Sequence, residues 1–255
     1  MAKVSVNLIT YNRANYLAEA INSVLAQTFY DWELIIVDDA SSDNTFEIVK
    51  KYSENEGRIK YYRQETNLGI IKARNLALQL SQGEYIAVLD SDDAWVDKDK
   101  LNKQLSFFEK NSDCVAVGGA VVVIDEKGQG LKRYKNPQTD VLIRKKILLR
   151  NPFINSSVMF KKDTALRSGG YSDYTVGEDY DLFLKMGLSG KLANLDDYLV
   201  KYRKHGMGAT WSKRVRAAKD HLAIIVKFKN SYPNYSLALV KAYLRVILSY
   251  FLSLL

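Results

Sequence analysis

Asp90-Ser91-Asp92-Asp93 places three carboxylates within four residues. Their mutual repulsion is costly unless a cation or hydroxyl groups offset it. The residue types available select the cation: carboxylate oxygens dominate, while the chain holds two histidines, His205 and His221, and one cysteine, Cys114. Mg2+ or Mn2+ suits such a donor set, and these ions typically bridge one or two carboxylates to a substrate phosphate. A cysteine-based or multi-histidine zinc site is excluded. The plainer account of the same segment is a solvated turn leading into the next helix.

Four further clusters carry comparable options. Asp38-Asp39 before Ser41-Ser42-Asp43 offers a carboxylate for a ribose hydroxyl or nucleobase N–H, and Asp43 or Ser42 as a helix cap. Tyr11, within Thr10-Tyr11-Asn12-Arg13, offers a stacking face; a core-packed tyrosine is the alternative. Asn67-Leu68-Gly69 opens a helix carrying Lys72, Arg74 and Asn75, a suitable place for a diphosphate, although solvated cations would look the same. Gly177-Glu178-Asp179-Tyr180-Asp181 sets acids at a helix start, where the helix dipole favours them, or where one could act as general base toward an alcohol. Finally, Tyr202-Arg203-Lys204-His205 ends a strand in cations and one imidazole, a metal ligand, a phosphate contact or neither.

The elements that must position these groups follow from periodicity. Apolar runs at residues 4–9, 33–37, 58–62 and 85–89 alternate with helical patterns at 14–26, 43–52 and 70–80, the signature of β-α-β units and a mostly parallel sheet flanked by helices. In such sheets ligands bind outside the carboxyl ends of the strands, so residues 10–13, 38–43 and 90–93 should converge on one crevice. Beyond it the pattern predicts a helix at 99–110, a strand at 115–124, a surface loop at 127–137, strands near 156–160 and 198–202, a helix near 179–188, and basic helices from about Ser212 onward. Boundaries are expected at 1–210 for one integrated domain, with halves at 1–110 and 111–210, followed by a helical extension at 211–255.

At 255 residues, 47% hydrophobic and 26% charged, the chain can bury a sizeable core without disulfides. Its net charge of +8 points to anionic partners. The excess is late: Lys201, Arg203, Lys204, Lys213, Arg214, Arg216, Lys219, Lys227 and Lys229 face one acid, Asp220, in that stretch. In the tail, Lys241, Arg245, Ser249 and Ser253 form one narrow polar stripe on an otherwise apolar helix, too short after Arg245 to span a bilayer. Packing on the domain, a homodimer contact and shallow insertion into an anionic membrane surface are its expected uses. Met1-Ala2-Lys3 runs into a segment too short and mixed for a secretory signal, so a cytoplasmic location, peripheral on the inner face of the plasma membrane, is expected. No G-x-G-x-x-G, G-K-[ST], G-x-S-x-G or H-E-x-x-H motif is present, which removes support for dinucleotide, P-loop, serine-hydrolase and zincin chemistry.

Taken in order, Thr10-Tyr11-Asn12-Arg13, Gln27-Thr28-Phe29, Val37-Asp38-Asp39-Ala40-Ser41-Ser42-Asp43, Asn67-Leu68-Gly69 with Ala73-Arg74-Asn75, Gly83-Glu84-Tyr85-Ile86, Leu89-Asp90-Ser91-Asp92-Asp93, Gly169-Gly170-Tyr171 and Gly177-Glu178-Asp179-Tyr180-Asp181 resemble the GT-A glycosyltransferases of family 2. The resemblance implies a GT-A fold and an inverting, metal-dependent transfer from a nucleotide-diphosphate sugar, a UDP-sugar being expected, to a hydroxyl of a glycan or lipid-linked acceptor in cell-surface polysaccharide synthesis. By similarity, Tyr11 and Asp39 hold the base and Asp90 the ribose or sugar side, with Thr10, Arg13, Asn67, Gly69 and Ser91 on the donor. Arg74 meets diphosphate or donor sugar, Asp92 the Mn2+ or Mg2+ ion, and His205 the metal or phosphates. Asp179 is the base, with Asp93, Glu178, Asp181 and Arg203 supporting it or the acceptor. Asn7 departs from the family's apolar first strand. A nucleic-acid partner is not expected. A glycoside hydrolase, a sugar-phosphate nucleotidyltransferase and a non-catalytic nucleotide- or glycan-binding subunit are the competing readings.

Overall fold

The computed structural model describes residues 2–205 and 214–251. Lys213, Ser212 and Ser253, cited above for charge, a helix start and the polar stripe, lie outside the described residues. The first half alternates as the hydrophobic pattern requires: β1 (Val4–Thr10), α1 (Ala14–Leu25), β2 (Trp32–Asp38), α2 (Thr45–Asn55), β3 (Ile59–Arg63), α3 (Ile70–Leu80) and β4 (Tyr85–Asp90). β5 (Ala94–Trp95), α4 (Lys100–Lys110), β6 (Cys114–Ile124), β7 (Gly130–Tyr134), α5 (Asp140–Ile147), β8 (Met159–Lys161), α6 (Lys162–Arg167), α7 (Glu178–Met186), β9 (Lys191–Arg203), α8 (Arg214–Lys227) and α9 (Tyr235–Phe251) complete the described chain.

The strands form one nine-stranded sheet in the order β3-β2-β1-β4-β8-β6-β9-β5, with β7 paired to β6. Six strands run one way, β1 to β4, β6 and β9, and β5, β7 and β8 oppose them. The sheet is therefore mostly parallel, and helices cover it, as its continuous apolar strands demand. Building outward from β1 to β3 and then returning beside β1 with β4 puts the reversal of strand order between β1 and β4. That reversal opens a crevice at their carboxyl ends. Ile9 pairs with Asp90 and Thr10 with Asp38, so the first three polar clusters come out side by side.

Asn7 is accommodated: 5% exposed, it accepts a 2.8 Å hydrogen bond from Ser81 Oγ. Asp43 does not cap α2 in the usual manner, because Asn44 holds that position. Its carboxylate instead accepts from the Thr45 amide and hydroxyl and from the Ala14 amide, tying together the starts of α1 and α2. The surface loop expected at 127–137 contains β7. Asp125 Oδ1 accepts from the Lys127 and Gln129 amides and Gly128 takes φ +85°, which folds a tight hairpin back onto β6. The strand expected near 156–160 divides into a 3-10 turn at Asn155–Ser157 and β8. β9 is longer than its predicted core, and α5 and α6 appear where no element was predicted.

Two large apolar clusters flank the sheet. One joins α1 and α4 to β1, β2 and β4, and the other joins Tyr180, Leu182 and Phe183 of α7 to Ile224 and Ile225 of α8 and to Ala238 and Ala242 of α9. α9 meets the domain through small residues, Ala238, Ala242 and Ser249. Its large apolar side chains point away: Leu237, Val240, Leu244, Ile247, Leu248 and Phe251 are at least half exposed. Among the described residues, no helix is long and apolar enough to cross a membrane.

Candidate active site

The Asp90–Asp93 segment leaves β4 and its carboxylates diverge. Asp90 Oδ1 accepts from Arg74 Nη2 at 2.9 Å and from Asn155 Nδ2 at 3.0 Å. Asp92 Oδ2 lies 2.7 Å from His205 Nε2 and 3.8 Å from Arg13 Nη2. Asp93 turns inward, 2% exposed, where Ser156 Oγ and the Arg203 amide donate to it. Burial, reinforced by the charges of Asp90 and Asp92, pushes its carboxyl well above the usual carboxylate range. Ser91 is buried beside them. The repulsion inherent in the sequence is thus relieved three ways: by a guanidinium, by an imidazole and by burial among hydrogen-bond donors.

Asp93 and Arg203 therefore lie behind the crevice. The Arg203 guanidinium donates to Glu19 Oε2 and to the backbone carbonyls of Asp92, Asp125 and Glu126, bracing the turn that carries Asp92. A second brace stands behind the Asn155–Ser157 turn. Trp95 Nε1 donates to Ser156 O, Gln104 Nε2 donates to Ser157 O and Val117 O, and Lys100 Nζ donates to Gln104 Oε1 at 2.7 Å while lying over the Trp95 ring. Lys100 is fully buried, and burial pushes its ammonium well below the ordinary lysine range.

Asp39 is also anchored by the start of α3. Its Oδ1 and Oδ2 accept from the Leu68 and Gly69 amides at 2.8 and 2.9 Å, and Asn67 Nδ2 donates to its carbonyl. Gly69 takes φ +90° as the residue before α3. The anion at this helix start is consequently Asp39 itself, so the expected diphosphate cradle at Asn67-Leu68-Gly69 is already filled by a side chain. Asn75 likewise is structural, exchanging hydrogen bonds with the Tyr171 backbone. Thr10 is buried, and Tyr11, 48% exposed, presents a ring at the mouth of the crevice.

Arg74, by contrast, projects from α3 into the site. It is 6% exposed, ion-paired to Asp90 and 3.4 Å from Glu178 Oε1. Glu178 begins α7 just after Gly177, whose φ of +94° makes the sharp turn into the helix. Asp179 follows. Burial and the like charge of Glu178 push its carboxyl up to about 6, against the opposing effect of Arg74. Asp181 is not in the crevice: fully buried on another side of α7, it accepts from Ser172 Oγ and Lys227 Nζ at 2.6 Å and pairs with Lys185, which fastens α7 to α8.

Several buried polar atoms here have no hydrogen-bond partner among the described residues: Thr10 Oγ1, Arg74 Nη1 and Asn155 Oδ1, while Arg74 Nε has only its 3.4 Å ion pair with Glu178. Buried polar groups are ordinarily satisfied, so their concentration around one crevice fits a polar ligand. Asn155 is a site residue that motif reading missed. Its signal is faint, an Asn-Ser-Ser run at the start of the strand expected near 156–160. No group of three or more potential metal-binding side chains occurs among the described residues. Asp92 and His205 supply two donors, which fits an ion completed by substrate phosphates and water.

Comparison with known proteins bears on family and fold. The model of glycosyl transferase family 2 matches residues 5–174. An uncharacterized glycosyltransferase of Haemophilus influenzae is 31% identical over 217 residues, covering 80% of this chain and 66% of that protein. The O-antigen biosynthesis glycosyltransferase WbnJ of Escherichia coli is 34% identical over 209 residues, covering 79% of this chain and 80% of that protein. Among solved structures, residues 1–349 of S. aureus TarS in complex with UDP-GlcNAc superpose with a TM-score of 0.72 at 23% identity, covering 95% of this chain and 72% of that one. Mannosyltransferase PcManGT of Pyrobaculum calidifontis, in complex with GDP-Man and Mn2+, gives 0.68 at 18% identity, covering 98% and 73%. The α/β sheet, its crevice and these matches make the chain a GT-A-fold member of glycosyltransferase family 2.

Proposed function

We propose that the chain transfers a sugar, with inversion, from a nucleoside-diphosphate sugar to a hydroxyl of a glycan or lipid-linked acceptor in cell-surface polysaccharide synthesis. The observation that carries this is the Asp90–Arg74–Glu178 array beside Asp179, whose raised carboxyl is suited to general-base work near neutral pH. Asp179 takes the proton of the acceptor hydroxyl as its oxygen attacks the anomeric carbon. Arg74 Nη1, which no hydrogen bond among the described residues engages, is a donor for charge developing on the departing diphosphate. A Mn2+ or Mg2+ ion held by Asp92 and His205 would, when bound, neutralise that diphosphate further. Asp90 is engaged by Arg74 and Asn155 and is not free to attack carbon. One base and no nucleophilic carboxylate favour inversion.

Tyr11 stacks on the base, and Asp39, whose carboxylate keeps acceptor lone pairs beyond its two amide bonds, accepts from it. The TarS complex with UDP-GlcNAc supports a UDP-sugar, and the PcManGT complex with Mn2+ supports the metal. Residues 1–210 carry the transfer chemistry, and 211–255 hold it near its acceptor. The outward apolar face of α9, next to the exposed cations Arg216, Lys219 and Lys241, suits the anionic inner surface of the plasma membrane.

Calorimetry with UDP, GDP, CDP and TDP, with and without Mn2+, tests the donor site on wild type and Asp92→Ala. Metal-dependent binding of one nucleotide that Asp92→Ala abolishes is expected; a folded, metal-supplied protein that binds none refutes the reading. Flotation with phosphatidylglycerol vesicles tests the membrane face. Failure to float, or a stable dimer in its place, removes it.

A further inference from the structure

Asp179 opens onto a cavity of about 320 Å³ that it shares with Arg150, Asn151, His221 and Arg245. A second cavity, of about 280 Å³, takes Lys132, Lys135, Asn136 and Lys146 together with the same Arg150 and Asn151. The two are therefore halves of one groove, with Arg150 at the junction. Its charge is one-sided. Among the described residues, Lys135 is paired with Asp196, whereas Lys132, Lys146, Arg150 and Arg245 make no ion pair with a carboxylate. No acid lines the second cavity. His221 stacks on Tyr180 and is pushed down to about 4 by burial and by Arg245, so it adds no charge. Asn136 Nδ2 is buried in that cavity without a partner, a donor waiting for an acceptor atom.

Four cations in a groove whose one lining acid is Asp179, at its far end, repel one another and stabilise an anionic occupant. Because the groove begins at Asp179, that occupant is the acceptor. We propose that the acceptor is itself an anionic chain, bearing phosphodiester or carboxylate groups within one or two units of the attacking hydroxyl. Arg150 engages the group next to the reacting unit. Lys132, Lys146 and Asn136 engage the group beyond it. A guanidinium at the junction suits either anion, since its fork matches phosphate and carboxylate oxygens alike. This rests on the proposal that Asp179 receives the acceptor's proton, and it adds the acceptor's chemical class.

The test uses the full chain and three oligomers: a phosphodiester-linked glycerol oligomer, an oligogalacturonate of similar length and a neutral malto-oligosaccharide. Binding to each is measured for wild type, Arg150→Ala with Lys146→Ala, and a control pair on α2, Lys50→Ala with Lys51→Ala. UDP binding with Mn2+ is followed in parallel. At least one anionic oligomer is expected to bind tenfold or more above the neutral one. The groove pair should lose that preference, the control pair should keep it, and UDP affinity should be unchanged in both. The phosphodiester and carboxylate arms tell which anion the groove selects. Equal binding of neutral and anionic oligomers, or equal losses in both variant pairs, overturns the proposal while retained UDP binding leaves the donor site standing. Groove-dependent anion binding by a protein that binds no nucleotide overturns the transferase reading and, with it, the acceptor role.

Discussion

The carboxyl of Asp179 sets the sharpest quantitative expectation. Burial and Glu178 raise it from 3.8 to about 6, with Arg74 opposing. If Asp179 takes the acceptor proton, kcat/KM must follow its ionised fraction, because that ratio reports groups of the free enzyme. At pH 7 roughly nine tenths of the enzyme is then active, and at pH 5 roughly a tenth, a loss of about tenfold per unit below the inflection. Glu178→Gln removes a like charge and leaves Arg74 more available to Asp179, so both effects move the inflection to lower pH. Asp179→Asn should lower transfer about 10²–10⁴-fold and flatten the acid limb, with calorimetric donor affinity nearly intact. The assay is initial-rate sugar transfer between pH 4.5 and 8 in buffers of constant ionic strength. An inflection at an ordinary carboxylate position, one that Glu178→Gln leaves in place, or a large loss of donor affinity in Asp179→Asn refutes the assignment.

Replacing Arg74 with Met strands Asp90 and Glu178 in a buried array and should cost about 3–5 kcal/mol of stability in denaturant titrations; a cost under 1 kcal/mol would show the pairing to be incidental. Asn155→Ala removes a donor to Asp90 and should lower kcat/KM by about 1–3 kcal/mol of transition-state stabilisation, while circular dichroism remains native. Lys100 gives a stability signature. Burial lowers its ammonium below the 10.5 of the unfolded chain, so the penalty of burying the charge is relieved as pH rises toward that value. Wild type should therefore gain stability relative to Lys100→Met as pH rises toward 10.5, by at most about 1.4 kcal/mol per pH unit, and parallel curves would refute the lowered ammonium.

The first half was largely legible because β1, β2 and β4 are almost wholly buried and read as mainly apolar runs, with acids ending β2 and β4. α3 was located to the residue, since Gly69 and Ser81-Gln82-Gly83 stop it on either side. β7, α5 and α6 were missed: short, largely exposed elements lack the periodic contrast on which such reading depends. At the site, spacing identified which carboxylates were present and not where each one turned. Asp90, Asp92 and Asp93 are near neighbours in sequence, yet one meets Arg74, one His205 and one the interior. Asp181 falls on another side of α7 from Asp179, and Asp39 accepts from two amides that no motif reveals. Asn155 acquires its part only by lying across the sheet from β4, a pairing set by β8.

The seating of α9 on alanines has a practical side. A helix held through Ala238, Ala242 and Ser249 lies close to its support, and leucine at Ala242 would wedge it off. Its outer leucines and isoleucine contribute little to the fold, so recoding Leu244, Ile247 and Leu248 as glutamate or lysine should leave unfolding curves almost unmoved while raising the concentration at which the protein stays in solution. The one helix would thus let solubility be tuned separately from folding, and a soluble variant that still turns over a short acceptor in free solution would show how much of the reaction needs a surface at all.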